Sequence, residues 1–178
     1  GKALAIPIDK SVPYFLRAAF LLTMTLFWVF ANAQTAVFIN EIHYDNASGD
    51  VDEGVEIAGP AGTDLELWSI VMYNGSNGTL YNTIALSGSI DDEGAGYGAV
   101  DFQLPSNGLQ NGGPDGIAFG NASGILGFVS YEGTFAATDG PAAGITSMDI
   151  GVSETGGTAA GNSVQLTGAG GSSNDFVW

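Results

Sequence analysis

Cysteine is absent from the 178 residues. That excludes disulfide staples and any zinc or iron–sulfur site built on thiolates, so stability has to come from a packed core. Positive charge is almost as scarce. Lysine and arginine total three, at Lys2, Lys10 and Arg17, and none follows residue 17. Of the 19 acidic residues only Asp9 precedes residue 34, and beyond that point the one possible cation is His43. Affinity for phosphate backbones rests mainly on Lys and Arg, so direct DNA or RNA binding is disfavoured. A large net charge of one sign favours solubility instead. Long runs of 3.6-residue periodicity are missing as well, apart from one N-terminal stretch.

That stretch is "RAAFLLTMTLFWVFANA", Arg17 followed by an apolar run from Ala18 to Phe30 and then Ala31-Asn32-Ala33. A basic flank, a short hydrophobic centre and small residues at −3 and −1 of a cleavage point make a secretory signal-peptide helix. A membrane anchor is the plainer alternative, but a span needs about 20 apolar residues. Residues 10–33 are therefore read as a signal peptide cleaved after Ala33, with secretion as the consequence. Residues 1–9 are an unassigned leader extension.

From residue 34 the pattern changes to short apolar or alternating runs bounded by Gly, Asn, Asp and Ser. "AVFINEIHY" alternates, with Val37, Ile39 and Glu41 expected on one face and Phe38, Asn40 and Ile42 on the other. "GVEIAG", "LELWSIVMYN", "TLYNTIALSG", "YGAVDFQL", "DGIAFGN", "ILGFVSYEG", "SVQLTG" and "DFVW" follow at strand length. "NGSNG" (74–78) and "NASG" (121–124) have the composition of hairpin turns, because Asn and Gly accept positive φ. Many short strands at such spacing predict an all-β sandwich or barrel. Residues 133–162 are poor in strand formers and are expected to be a long ordered surface loop.

The chemistry-bearing residues gather in one place. Asp45, Asn46, Asp50, Asp52, Glu53 and Glu56 follow the first predicted strand and supply hard oxygen ligands of the kind Ca²⁺ takes in sets of six to eight. Their spacing is not that of an EF-hand. The same residues also suit a solvated acidic loop whose Asp and Asn form turns, the plainer and preferred reading. "DDEG" (91–94) reads simply as a turn. A nucleophile–histidine–acid triad would have to use His43, which alternation places toward solvent or beside Tyr44. Carboxylate pairs of glycosidase type are too easily found in so acidic a chain to mean anything. Phosphoryl or acyl transfer enlists Arg, Lys or a metal, and the first two are lacking. Trp68, Tyr73, Phe119, Phe128 and Tyr131 are expected in the core or on sheet faces rather than as a ligand platform. The sequons at Asn46, Asn77 and Asn121 fit surface loops.

Taken in order, "FINEIHYDN" (38–46), "VEIAGPAGTDL" (55–65), "LWSIVMYNG" (67–75), "YNTIALSG" (81–88), "NGGPDGIAF" (111–119), "FVSYEGTF" (128–135), "DGPAAGITSMDIGVSE" (139–154) and "NSVQLTG" (162–168) resemble the lamin tail domain in its secreted bacterial form. The resemblance covers nearly all of residues 34–178. It implies an immunoglobulin-like β-sandwich that is non-catalytic and that accompanies extracellular nucleases, phosphatases and other hydrolases. Relatives of this type continue past "DFxW", so the domain is expected to be truncated at its C-terminus. The expected function is an accessory module of a secreted protein, tethering or positioning a hydrolase and contacting a protein or cell surface, with no membrane contact after signal cleavage. Two alternatives stand beside it: the N-terminal fragment of an extracellular nuclease or phosphatase whose catalytic domain lies downstream, and a carbohydrate- or surface-binding domain.

Overall fold

The computed structural model describes residues 36–178; the leader extension and the signal peptide lie outside the described residues. The described residues are all-β, with no α-helix among them and a single 3-10 turn at Ser173–Asp175. Seven strands carry the fold: β1 (Phe38–His43), β2 (Gly54–Pro60), β3 (Trp68–Asn74), β4 (Thr79–Ala85), β5 (Tyr97–Gln103), β6 (Asp115–Asn121) and β7 (Gly124–Tyr131). Four two-residue strands follow: β8 (Met148–Asp149), β9 (Val164–Gln165), β10 (Thr167–Gly168) and β11 (Phe176–Val177).

They form a four-stranded sheet in the order β5-β2-β1-β9 and a five-stranded sheet in the order β4-β3-β6-β7-β8, with β10 and β11 paired separately. Apolar residues from both sheets meet in one core cluster: Ile42, Val55 and Ile57 from the first, Ile70, Met72, Ile117 and Phe119 from the second. This is a β-sandwich-like arrangement of two packed sheets, as the strand spacing predicts.

Hairpins arise where the turn chemistry allows. Asn74 and Asn121 each turn a side-chain carbonyl back onto the backbone N–H two residues on, at Ser76 (2.9 Å) and Ser123 (2.8 Å). Gly75 could carry no side chain, since a Cβ there would lie 1.9 Å from the carbonyl oxygen of Pro114.

Two expectations are corrected. A bulge in β1 between Ile39 and Glu41 breaks the strict alternation, so Ile39 and Ile42 both join the core while Glu41 turns outward. Residues 133–162 are also more than a surface loop. Ala137 and Ala142 pack with Val71, Tyr73, Ala118 and Phe128 into a second apolar cluster on the far face of the five-stranded sheet, and β8 adds to β7 in parallel. Buried on both faces, β6 loses alternation altogether. The five singled-out aromatics belong to these two clusters, Trp68 at the margin and stacked on Phe119 at 4.9 Å.

Candidate functional site

The connection between β1 and β2 holds most of the carboxylates, and a residue far along the chain organises it. His43, 6 % exposed, directs Nδ1 at Glu154 Oε1 across 2.7 Å, and Glu154 is itself only 3 % exposed. The other oxygen of Glu154 accepts the backbone N–H groups of Tyr44 (2.6 Å) and Asp45 (3.0 Å). In return the Tyr44 hydroxyl accepts the Glu154 backbone N–H at 2.8 Å, and its ring stacks on Tyr131 at 3.8 Å. One carboxylate thus closes the end of β1. Of the two positions expected for His43, toward solvent or beside Tyr44, the solvent-facing one is corrected: the imidazole is buried, with a carboxylate from residue 154 to meet it.

The far side of the ring is also occupied. With Nδ1–H donating to Glu154, Nε2 accepts from Asn46 Nδ2 at 2.8 Å, and the same amide donates to the Val51 carbonyl at 2.7 Å. Asn46 is 2 % exposed, so the acceptor side chain of its sequon is buried although Ala47 and Ser48 are exposed, whereas Asn77 is itself exposed. Asn46 Oδ1 is buried without a hydrogen-bond partner among the described residues.

The six candidate ligands separate into three places. Asp45 and Asp50 are brought together: Asp50 accepts the Asn46 backbone N–H at 3.0 Å and the Asn111 side-chain amide at 2.9 Å. Burial first, and the neighbouring Asp50 second, push the Asp45 carboxyl above its ordinary range. Glu53 is fully buried and points at a different loop, accepting the backbone N–H groups of Gly108 (2.6 Å) and Leu109 (3.2 Å). Its carboxyl is raised by burial, although those two bonds oppose the shift. Asp52 is exposed, in a left-handed conformation (φ 60°), at the rim of a shallow cavity of about 200 Å³. Glu56 lines that cavity from the middle of β2, held by Asn40 Nδ2 at 2.6 Å. Among the described residues no group of three or more His, Asp or Glu side chains is disposed to hold a metal ion.

The question why so many carboxylates survive without cations has a local answer. Asp64, Asp92, Asp115, Asp139, Asp149 and Asp175 repeat what Glu53 and Glu154 do, each accepting a backbone N–H from a turn or strand end. Backbone donors supply what Lys and Arg would otherwise provide, and such charge-assisted bonds are stronger than neutral ones. "DDEG" is one such turn, with Asp92 accepting from both Gly94 (2.9 Å) and Gly96 (3.1 Å).

Sequence reasoning missed Glu154, Asn111 and the alignment of Glu41 and Asp101 beside Glu56. A lone histidine in an acidic chain signals a carboxylate partner, but nothing in spacing selects residue 154. Comparison of the chain with protein-family models, with curated proteins and with solved structures finds no match.

Proposed function

We propose that residues 34–178 are an immunoglobulin-like sandwich of the lamin tail kind. It serves as a non-catalytic accessory module of a secreted protein, positioning an attached hydrolase and making protein or surface contacts. The observation that carries the reading is the fate of His43. Both ring nitrogens are committed, to Glu154 and to Asn46, inside a buried cluster, so the one imidazole has no free nitrogen to take a proton from a nucleophile. No Lys, Arg or Cys stands elsewhere in residues 34–178 to replace it. The segments that carry the family resemblance coincide with β1, β2, β3, β4, β6 and β7 and with the chain that covers the five-stranded sheet.

The test is turnover by the purified chain on DNA, on phosphate monoesters and on carboxylic esters, with Mg²⁺ and with Ca²⁺. No turnover above the blank is expected. Turnover that one carboxylate substitution removes would overturn the reading in favour of a hydrolase.

A further inference from the structure

The outer face of the four-stranded sheet carries three carboxylates in register. Asp101 on β5 stands directly opposite Glu56 on β2, and Glu56 directly opposite Glu41 on β1. Like charges so placed destabilise a sheet, and residues 36–178 hold no Lys or Arg to set against them. Asp52 and the 161–163 segment close the row into the shallow cavity described above. The rest of this face is covered in part, with Tyr97 still 43 % exposed. The C-terminal segment lies over it, with the Phe176 ring 5.5 Å from that of Phe38 and Gly171 against Tyr97.

A second feature adjoins the row. β5 ends its sheet and pairs with β2 along all seven residues; beyond β2 only Tyr97 is engaged, through a bridge to Gly94 in the turn before it, which leaves Ala99 to Gln103 as the open edge. The other long edge, β4, is blunted: Asp139 caps the Leu80 N–H at 2.7 Å and Asn82 that of Thr83 at 2.9 Å. The remaining sheet ends, β8 and β9, are two residues long. Among the described residues no side chain caps a backbone N–H of β5.

We infer that β5 and the acidic row form a docking surface for an extended polypeptide segment of a partner protein, bearing Lys or Arg at alternate positions. This rests on the accessory-module reading and names the chemistry of the partner. An added strand would lie about 4.8 Å from β5, with every second side chain on the outer face. A Lys or Arg stem opposite Asp101 is long enough to pass it and reach Glu56. The carboxylates are spaced one per strand, which suits an elongated cationic side chain rather than a point ion. A second copy of residues 18–178 offers no such residue, because Lys and Arg are missing from them.

The experiment titrates the full chain with a fluorescein-labelled Lys-Thr-Lys-Thr-Lys-Thr-Lys peptide at 0.15 M salt. A second peptide of the same sequence, N-methylated at alternate residues, keeps the charge but cannot add to a strand edge. Affinity should fall at least ten-fold for the N-methylated peptide on the unaltered chain. It should fall as far for the unmodified peptide on Glu41→Gln/Glu56→Gln/Asp101→Asn, whose folding a melting curve verifies. The control Asp64→Asn/Glu66→Gln/Asp149→Asn should change it less than two-fold. Equal binding of the two peptides, or equal weakening in both triple variants, would reduce the effect to the net charge of −16 and overturn the proposal. Absence of binding, or concentration-dependent self-association of the chain in its place, overturns it too. Neither outcome bears on the turnover test, so the surface and the accessory reading fail separately.

Discussion

Replacing Glu154 with alanine should unfold a large part of what holds β1 in place. The substitution removes a carboxylate that accepts three bonds, from His43 Nδ1 at 2.7 Å, Tyr44 N at 2.6 Å and Asp45 N at 3.0 Å. The first two donors belong to buried residues. Leaving a buried donor unsatisfied costs roughly 1–3 kcal/mol, and two buried donors lose their acceptor here. The three bonds share one acceptor, so they do not add in full, and about 2–4 kcal/mol is the figure to carry forward. Total stability for a domain is about 5–15 kcal/mol, so the loss is a large share of it. At roughly 2–4 °C per kcal/mol for this size, the midpoint should fall by about 4–16 °C. Urea unfolding followed by tryptophan fluorescence measures the free energy, with m as the check that the unfolded state is unchanged. Glu66→Ala, at an exposed position, is the control and should stay within about 0.5 kcal/mol. Glu154→Gln keeps one acceptor oxygen and should fall between the two. If Glu154→Ala lies within about 1 kcal/mol of the parent chain at constant m, the carboxylate does not hold β1 and the reasoning fails.

Two further outcomes follow from the carboxylates. Burial holds the carboxyls of Glu53, Glu56 and Asp115 above their ordinary range. The folded chain therefore binds their protons more tightly than the unfolded chain, a contribution complete below about pH 4 and lost as pH rises through the raised folded values. The melting temperature should rise as pH is lowered from 7.5 toward about 5, and Glu56→Gln should flatten the rise; a midpoint that falls on acidification contradicts it. Because Asp45, Asp50, Asp52, Glu53 and Glu56 divide among three places, Ca²⁺ and Mg²⁺ at matched ionic strength should shift the melting temperature equally, by screening alone. A shift specific to Ca²⁺ and abolished by Asp50→Asn would restore a shared ligand set.

The fold was largely legible because its signals are local. Turn residues at 74–78 and 121–124 sit between runs of strand length, and each becomes the hairpin its composition predicts. Burial by the 133–162 segment was not legible, because Ala137 and Ala142 are too small to mark an apolar face in a glycine-rich stretch. The β1 bulge hid for a similar reason: nothing in "FINEIH" says that Asn40 is the surplus residue. At the site, proximity in sequence proved a poor guide to proximity in space. Glu53 and Glu56 lie three residues apart yet serve different surfaces, whereas His43 and Glu154 meet across 111 residues. Pairing of that kind depends on tertiary register, which one sequence does not display.

The position of β1 between β2 and β9 carries a consequence for how the chain comes to be folded. β2 is available within a few residues of synthesis, but β9 pairs with β1 only through Glu41–Gln165 and Ile42–Val164. Until those last residues are made, one flank of the first strand has no neighbour, and before Glu154 is made His43 has no acid to meet. A nascent chain short of about residue 165 is then an aggregation-exposed intermediate with an open strand edge. Contacts of such long sequence separation also close slowly. Locking of β1 is gated by residues 154–165: among the described strands the earliest in sequence is among the last to gain both its neighbours, and that delay is built into the strand order.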